Sequence, residues 1–352
     1  MAIREVDGPA GAPWERPLHG ALDRLVIESE TLAGNPLGDP ARRPLYVYRS
    51  PGVAGGSAAA VASIYLLQPF GGQLDRWLAR DSFEPTKFER IDALYAPEAE
   101  PCPEAVIVFV DAWTSIGGSQ FRNSPVTGNY LDYICDELVA FIDANYPTAP
   151  VSARRGVAGF SSGGYGAMTL PMLRPDVFGA LASHAGDALF EVCYLRDFPA
   201  AARALRDHFD GSLEVFLEQF ATRTEFDWGR FGDMLSVYAM AAAYSPDADR
   251  PGGVALPFDP LTGRLDTNVW ERWLAHDPVR MAAGRAQALR GLRRIYLDAG
   301  RSDEYFLDLG AQAFSAELAR LGVEHTLELF PGRHGGIAQR FPIAIRELLL
   351  AI

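Results

Sequence analysis

Two rhythms of apolar residues alternate along this chain. Short apolar runs at residues 61–67, 105–110, 156–160 and 179–183 have the pattern of strands buried on both faces, and residues 292–297 and 325–330 complete this set of strands. Between the later runs the apolar positions change to a helical period. Residues 130–144 put Leu131, Ile134, Leu138, Phe141 and Ile142 on one face, and residues 310–321 do so with Ala313, Phe314, Leu318 and Leu321. Residues 342–352 read as a further apolar helix. Two earlier strands, residues 25–29 and 44–49, are separated by the turn-rich stretch 34–40. They lie too close for a helical crossover, so this pair is predicted antiparallel. Eight strands alternating with helices predict an α/β fold, a mostly parallel sheet with helices on both faces.

One interval breaks the rhythm. About a hundred residues separate the strands near 182 and 295, far beyond an ordinary connection. Helical patterns recur there at 200–209, 213–221 and 231–243, with a Pro/Gly-rich piece at 245–263 and many aromatics, among them Tyr194, Phe216, Trp228, Tyr238, Trp270 and Trp273. The stretch predicts a helical cap inserted at about 188–290 over the C-terminal edge of the sheet. Most of its aromatics are expected to form the cap's own core, with a few facing a pocket. Residues 1–20, with Gly8, Pro9, Gly11, Pro13 and Pro17, read as a flexible N-terminal arm ahead of a single domain over 21–352.

Composition narrows the function classes. The chain has 352 residues, 48% of them hydrophobic, enough for one large core. Its net charge of −13, with no basic stripe, argues against a nucleic-acid or anionic-membrane partner. Cys102, Cys135 and Cys193 are odd in number and far apart, so neither a zinc site nor a disulfide framework is expected. No apolar leader or membrane-length run is seen, and a cytoplasmic location is the expectation. The glycine spacing does not fit a dinucleotide site.

The chemistry centres on Gly159-Phe160-Ser161-Ser162-Gly163-Gly164, which follows an apolar strand and opens a helix rich in small residues. Gly-x-Ser-x-Gly in that setting is a nucleophile elbow, a sharp turn that lifts a serine hydroxyl above the sheet. The helix start offers unpaired N–H groups to a developing oxyanion. Such a serine needs a base and an orienting acid on loops at other strand ends. The loop after residue 330 supplies His334 in a glycine-flanked turn. The loop after residue 297 supplies Asp298, Asp303 and Glu304. Asp303, in mid-loop, is the preferred acid. Asp298 sits at the strand end, where a carboxylate often bonds local backbone N–H groups, and Glu304 is third choice. Among the other histidines, His184 ends a strand beside the elbow and is expected to line the site. Trp113, Ser119 and Gln120 follow the strand at 105–110 and are expected in the substrate pocket, although Trp113 reads equally well as core.

These motifs resemble the putative-esterase family of α/β-hydrolases, which includes S-formylglutathione hydrolases, feruloyl and enterochelin esterases and mycolyltransferase antigens. The resemblance spans roughly residues 24–350. It is densest from Val106 to Gly186, through Gly117-Gly118-Ser119-Gln120, the doubled Gly163-Gly164 and Ala182-Ser183-His184-Ala185-Gly186-Asp187. It implies a serine hydrolase acting on a small carboxylic ester or thioester through an acyl-enzyme on Ser161, with no metal and no cofactor. It also implies an oxyanion hole from the N–H groups of Ser162 and Phe70. Gln68-Pro69 stands where relatives carry His-Gly or Asp-Gly, so the Phe70 loop departs from the family pattern. An acyltransferase or an amidase would use the same three residues, and a non-catalytic binding protein could keep the fold. Self-association into a homo-oligomer is left open. Pro171, late in the helix after the elbow, is expected to kink or end it.

Overall fold

The computed structural model describes residues 17–80 and 83–352. Most of the expected N-terminal arm therefore lies outside the described residues. Eight strands form one sheet: β1 (Ala21–Glu28), β2 (Arg42–Arg49), β3 (Ala62–Leu67), β4 (Ala105–Val110), β5 (Arg155–Phe160), β6 (Ala180–His184), β7 (Arg294–Gly300) and β8 (Thr326–Phe330). Their order across the sheet is β1-β2-β4-β3-β5-β6-β7-β8. β2 runs antiparallel to both neighbours, and every pairing from β4 to β8 is parallel. β3 and β4 are buried at every residue, which is why they read as unbroken apolar runs rather than alternating ones.

One face of the sheet carries the elbow helix Ser162–Leu173 and the helix Leu307–Arg320, and the other carries the helix Arg340–Ala351. The amphipathic segment at 130–144 is helical from Tyr130 to Asn145, but its middle, Tyr133–Leu138, widens to a π-helix. Pro171 lies inside the elbow helix, which ends two residues later at Leu173.

The long interval is helical, with principal helices at Phe198–His208, Leu213–Ala221, Trp228–Tyr244 and Thr267–Leu274. The last of these lies beyond the three helical patterns read from sequence. Its start is set by Asp266, whose side chain accepts from the N–H groups of Asn268 and Val269. The cap's aromatics pack mainly on each other, as in Phe198–Trp270 and Phe209–Phe216 with centroids 5.4 and 5.1 Å apart. Its core is continuous with Tyr165 of the elbow helix, with Ala299 on β7 and with Leu307 after it, which ties the cap to the strand ends. Asp277, fully buried, accepts from the N–H groups of Leu189, Phe190 and Val279, so one carboxylate fixes both the entry to the cap and a helix near its exit.

Candidate active site

Ser161 sits between β5 and the elbow helix with φ 58° and ψ −124°, a backbone region that non-glycine residues rarely occupy. The glycines around it make that turn feasible. A Cβ at Gly159 would strike the Gly163 carbonyl, and one at Gly163 would strike the Leu67 carbonyl at the end of β3. Gly164 packs on Gly186 in the same way, where a Cβ would lie 2.7 Å from the Gly186 Cα. The doubled glycine and the Ala-Gly-Asp after β6 are thus two halves of one close backbone contact.

Three distant side chains meet at this turn. His334 Nε2 lies 3.1 Å from Ser161 Oγ, and His334 Nδ1 lies 2.8 Å from Asp303 Oδ2. The Asp303 side chain is fully buried and that of His334 is 15% exposed. The imidazole is packed between Phe160 and Tyr305, with ring centroids 4.5 and 4.7 Å away. The loops carrying acid and base are fastened to each other: Ser302 N–H donates to the Gly332 carbonyl at 2.9 Å, and His334 N–H donates to Glu304 Oε2 at 2.8 Å. Glu304 therefore holds the histidine's backbone and makes no contact with its ring nitrogens. Asp303 Oδ1 accepts from the Tyr305 N–H at 2.8 Å, which turns the other oxygen toward the imidazole.

Asp298 is engaged elsewhere. Its carboxylate bonds side chains, not the local backbone: His184 Nδ1 at 2.7 Å and Arg340 Nε at 2.8 Å. Burial alone would raise its pKa, but the imidazole and guanidinium together hold it below the ordinary carboxylate value. His184 is fully buried against Phe341 and does not line the site. Alternation along β6 decides this: Ser183 faces the elbow helix, bonding the Gly164 carbonyl, and the next residue must point to the opposite face.

The stretch after β3 forms a tight turn. Gly72 N–H donates to the Pro69 carbonyl at 2.9 Å, and Gly71 takes φ +67°, leaving Phe70 at the corner. Among the described residues the N–H groups of Phe70 and Ser162 have no protein acceptor. Gly117 and Gly118 seat the Phe70 ring, and the Gly117 carbonyl accepts from Gly71 N–H at 2.8 Å. That is the structural use of the Gly-Gly-Ser-Gln motif.

A cavity of about 270 Å³ opens above Ser161 and His334. Phe70, Phe160 and Tyr305 line it from the sheet side, and Tyr194, Trp228 and Trp273 from the cap. Trp113, Ser119 and Gln120 do not line it. They border a separate narrow crevice behind Ser162. Ser119 Oγ is used internally, donating to the Ala112 carbonyl at 3.2 Å, and the Trp113 carbonyl accepts from the Tyr130 hydroxyl at 3.1 Å. The Gln120 amide donates to the hydroxyls of Tyr244 and Tyr194 at 3.0 and 3.2 Å. The loop after β4 turns inward to support the Phe70 turn, which removes these side chains from the cavity. The aromatic walls and Asp187 were not assigned from sequence. Phe160 abuts the serine and Asp187 lies in the loop that follows β6, so position alone could have flagged both.

Comparison with known proteins accords with this geometry. Residues 91–335 match the putative esterase family, a stretch that contains Ser161, Asp303 and His334. The chain belongs to that family. It is a serine ester hydrolase with the α/β-hydrolase fold. A search of curated proteins finds no match. Among solved structures, a ferulic acid esterase superposes with a TM-score of 0.58 and 16% identity, covering 95% of this chain and 100% of that one. The fluorophosphonate-binding serine hydrolase F of Staphylococcus aureus gives 0.56 and 15%, covering 94% and 98%. An S-formylglutathione hydrolase from Agrobacterium tumefaciens gives 0.55 and 14%, covering 95% and 98%. At these identities the likeness is one of fold. No helix among the described residues of the esterase is long and apolar enough to cross a membrane.

Proposed function

We propose that this esterase cleaves a small carboxylic ester or thioester through an acyl-enzyme on Ser161. The observation that carries the reading is the continuous hydrogen-bonded path from Ser161 Oγ through the His334 ring to Asp303. His334 Nε2 takes the hydroxyl proton as Ser161 Oγ attacks the carbonyl carbon. Asp303 keeps the proton on Nδ1 and stabilises the imidazolium that forms. The N–H groups of Phe70 and Ser162 receive the oxyanion. The two belong to neighbouring backbone, since Gly163 packs on the Leu67 carbonyl three residues before Phe70. A lost donor of this kind typically costs about 2.7–4 kcal/mol in the transition state. The imidazolium then protonates the leaving alcohol or thiol, and water, activated by the same imidazole, releases the acid. At about 270 Å³ the cavity suits a small acyl or alcohol group.

The test is hydrolysis of p-nitrophenyl acetate combined with labelling by a fluorophosphonate probe. Ser161→Ala should lose both the label and at least about 10⁴-fold in kcat. Full activity in that variant refutes the assignment.

A further inference from the structure

Asp187 is the one carboxylate of the cavity lining that the hydrolytic scheme leaves without a role and that no described lysine or arginine pairs. It lines the cavity and is 7% exposed. Its Oδ2 accepts from the Tyr194 hydroxyl at 2.8 Å and, more weakly, from the Gln120 amide at 3.4 Å. None of the described residues donates to Oδ1, and no described lysine or arginine pairs with the carboxylate. A buried carboxylate in that state is costly unless something else supplies the counter-charge. Burial pushes its pKa up to about 6, so at neutral pH it is still ionised. The tyrosines that bond or neighbour it, Tyr194 and Tyr244, are driven well above their ordinary range by the same burial and remain neutral donors.

The cavity that holds this carboxylate has aromatic walls. Phe70, Phe160, Tyr194, Trp228, Trp273 and Tyr305 all line the cavity. Tyr194 and Trp273 meet edge to face at 5.8 Å, and Phe70 and Trp228 lie 6.0 Å apart. Aromatic rings and an acid lining one cavity are a setting that binds an ammonium group, by ring quadrupole and by charge together. The second acid on the lining, Asp197, is already engaged by Arg196 at 3.1 Å. Besides His334, the basic residue on the lining is Arg76, which is exposed in the turn Leu74–Trp77. The cation-receptive place is therefore the buried floor at Asp187.

We infer that the esterase prefers substrates whose acyl or alcohol part carries an ammonium group, held by Asp187 within this aromatic box. The inference rests on the serine-hydrolase reading above.

The test uses two isosteric pairs. In one, p-nitrophenyl 4-(trimethylammonio)butanoate is compared with p-nitrophenyl 5,5-dimethylhexanoate. In the other, acetylcholine is compared with 3,3-dimethylbutyl acetate. In one pair the cationic ester should have a kcat/KM about tenfold or more above its neutral isostere, and the pair that responds tells which limb of the ester faces Asp187. Asp187→Asn should bring that ratio to about one. Reading a ratio within one variant cancels any general loss of activity. Should Asp187→Asn fail to fold, the wild type still decides. Butyltrimethylammonium chloride should inhibit p-nitrophenyl acetate hydrolysis competitively, and sodium chloride at the same ionic strength should not. Ratios of one or less in both pairs overturn the inference while leaving the hydrolase intact. So does a ratio that survives in Asp187→Asn, which would mean that the carboxylate merely supports the His334 imidazolium. Absence of both turnover and fluorophosphonate labelling would overturn the hydrolase reading, and the inference with it.

Discussion

Asp298 on β7 and Asp303 in the loop after it are five residues apart, both buried, yet only Asp303 touches the imidazole that faces Ser161. The difference is directional. Asp298 is still on β7 and points across to its pairing partner His184 on β6, whereas Asp303 lies beyond the strand, where the chain is free to turn back. Asp303→Asn should keep the geometry while disfavouring the required tautomer, lowering kcat by about 10²–10⁴-fold in a p-nitrophenyl acetate assay. Asp187 makes a different prediction. Its folded-state pKa of about 6 lies above the ordinary value of 3.8. The folded state therefore keeps the proton to higher pH than the unfolded chain does. Stability contributed by the neutral acid is present below pH 4 and lost as pH rises to about 6, by about 3 kcal/mol. Asp187→Asn should accordingly raise the melting temperature at pH 8 and change it much less at pH 4, as calorimetry at the two pH values would show.

At the scale of elements, five successive strand ends build the site. β3 leads to Phe70, β5 to Ser161, β6 to Asp187, β7 to Asp303 and β8 to His334. Parallel strands bring all these ends to one edge, so residues up to 173 positions apart in sequence can share a hydrogen bond. The second histidine–aspartate pair, His184–Asp298, works at this scale. With Arg340 it joins β6, β7 and the helix Arg340–Ala351, and Arg340 also meets Glu328 of β8 and the Tyr296 hydroxyl. Asp298→Ala would leave the buried His184 imidazole without its acid and the Arg340 guanidinium with Glu328 as its remaining acid. We expect a loss of about 3 kcal/mol of stability in denaturant unfolding, with Ser161 still labelled by a fluorophosphonate below the transition. The opposite pattern, normal stability with lost labelling, would reassign Asp298 to the chemistry.

For the whole molecule, the cap decides what the strand-end machinery can reach. It supplies Tyr194, Trp228 and Trp273 to a cavity whose other walls belong to the sheet. Trp273 is fully buried within the cap's own core, but Trp228 is 52% exposed, at the start of its helix and beside Phe70. Trp228 thus closes the cavity from outside, half exposed and packed on Phe70 and Phe226. Trp228→Ala should leave kcat/KM for p-nitrophenyl acetate within about threefold and change it by about tenfold or more for acyl chains long enough to reach that wall. A chain-length series of p-nitrophenyl esters measures this directly.

The sheet and the elbow were legible because their causes are local. Continuous burial writes itself into unbroken apolar runs, and the steric demands of the Ser161 turn write themselves into Gly159, Gly163 and Gly164. The order of serine, acid and base along the chain follows from strand order, so those residue types could be read there as well. The cavity lining was not legible. Trp113, Ser119 and Gln120 occupy a strand-end loop like the others, but that loop folds beneath Phe70. His184 was turned away by a single step of strand alternation. Which aromatics of the cap face inward, and that they share a cavity with Asp187, depends on how a hundred-residue insertion packs on itself and on the strand ends. Periodicity along a sequence records that a face is buried, and the partner it is buried against is fixed only when the chain closes in three dimensions.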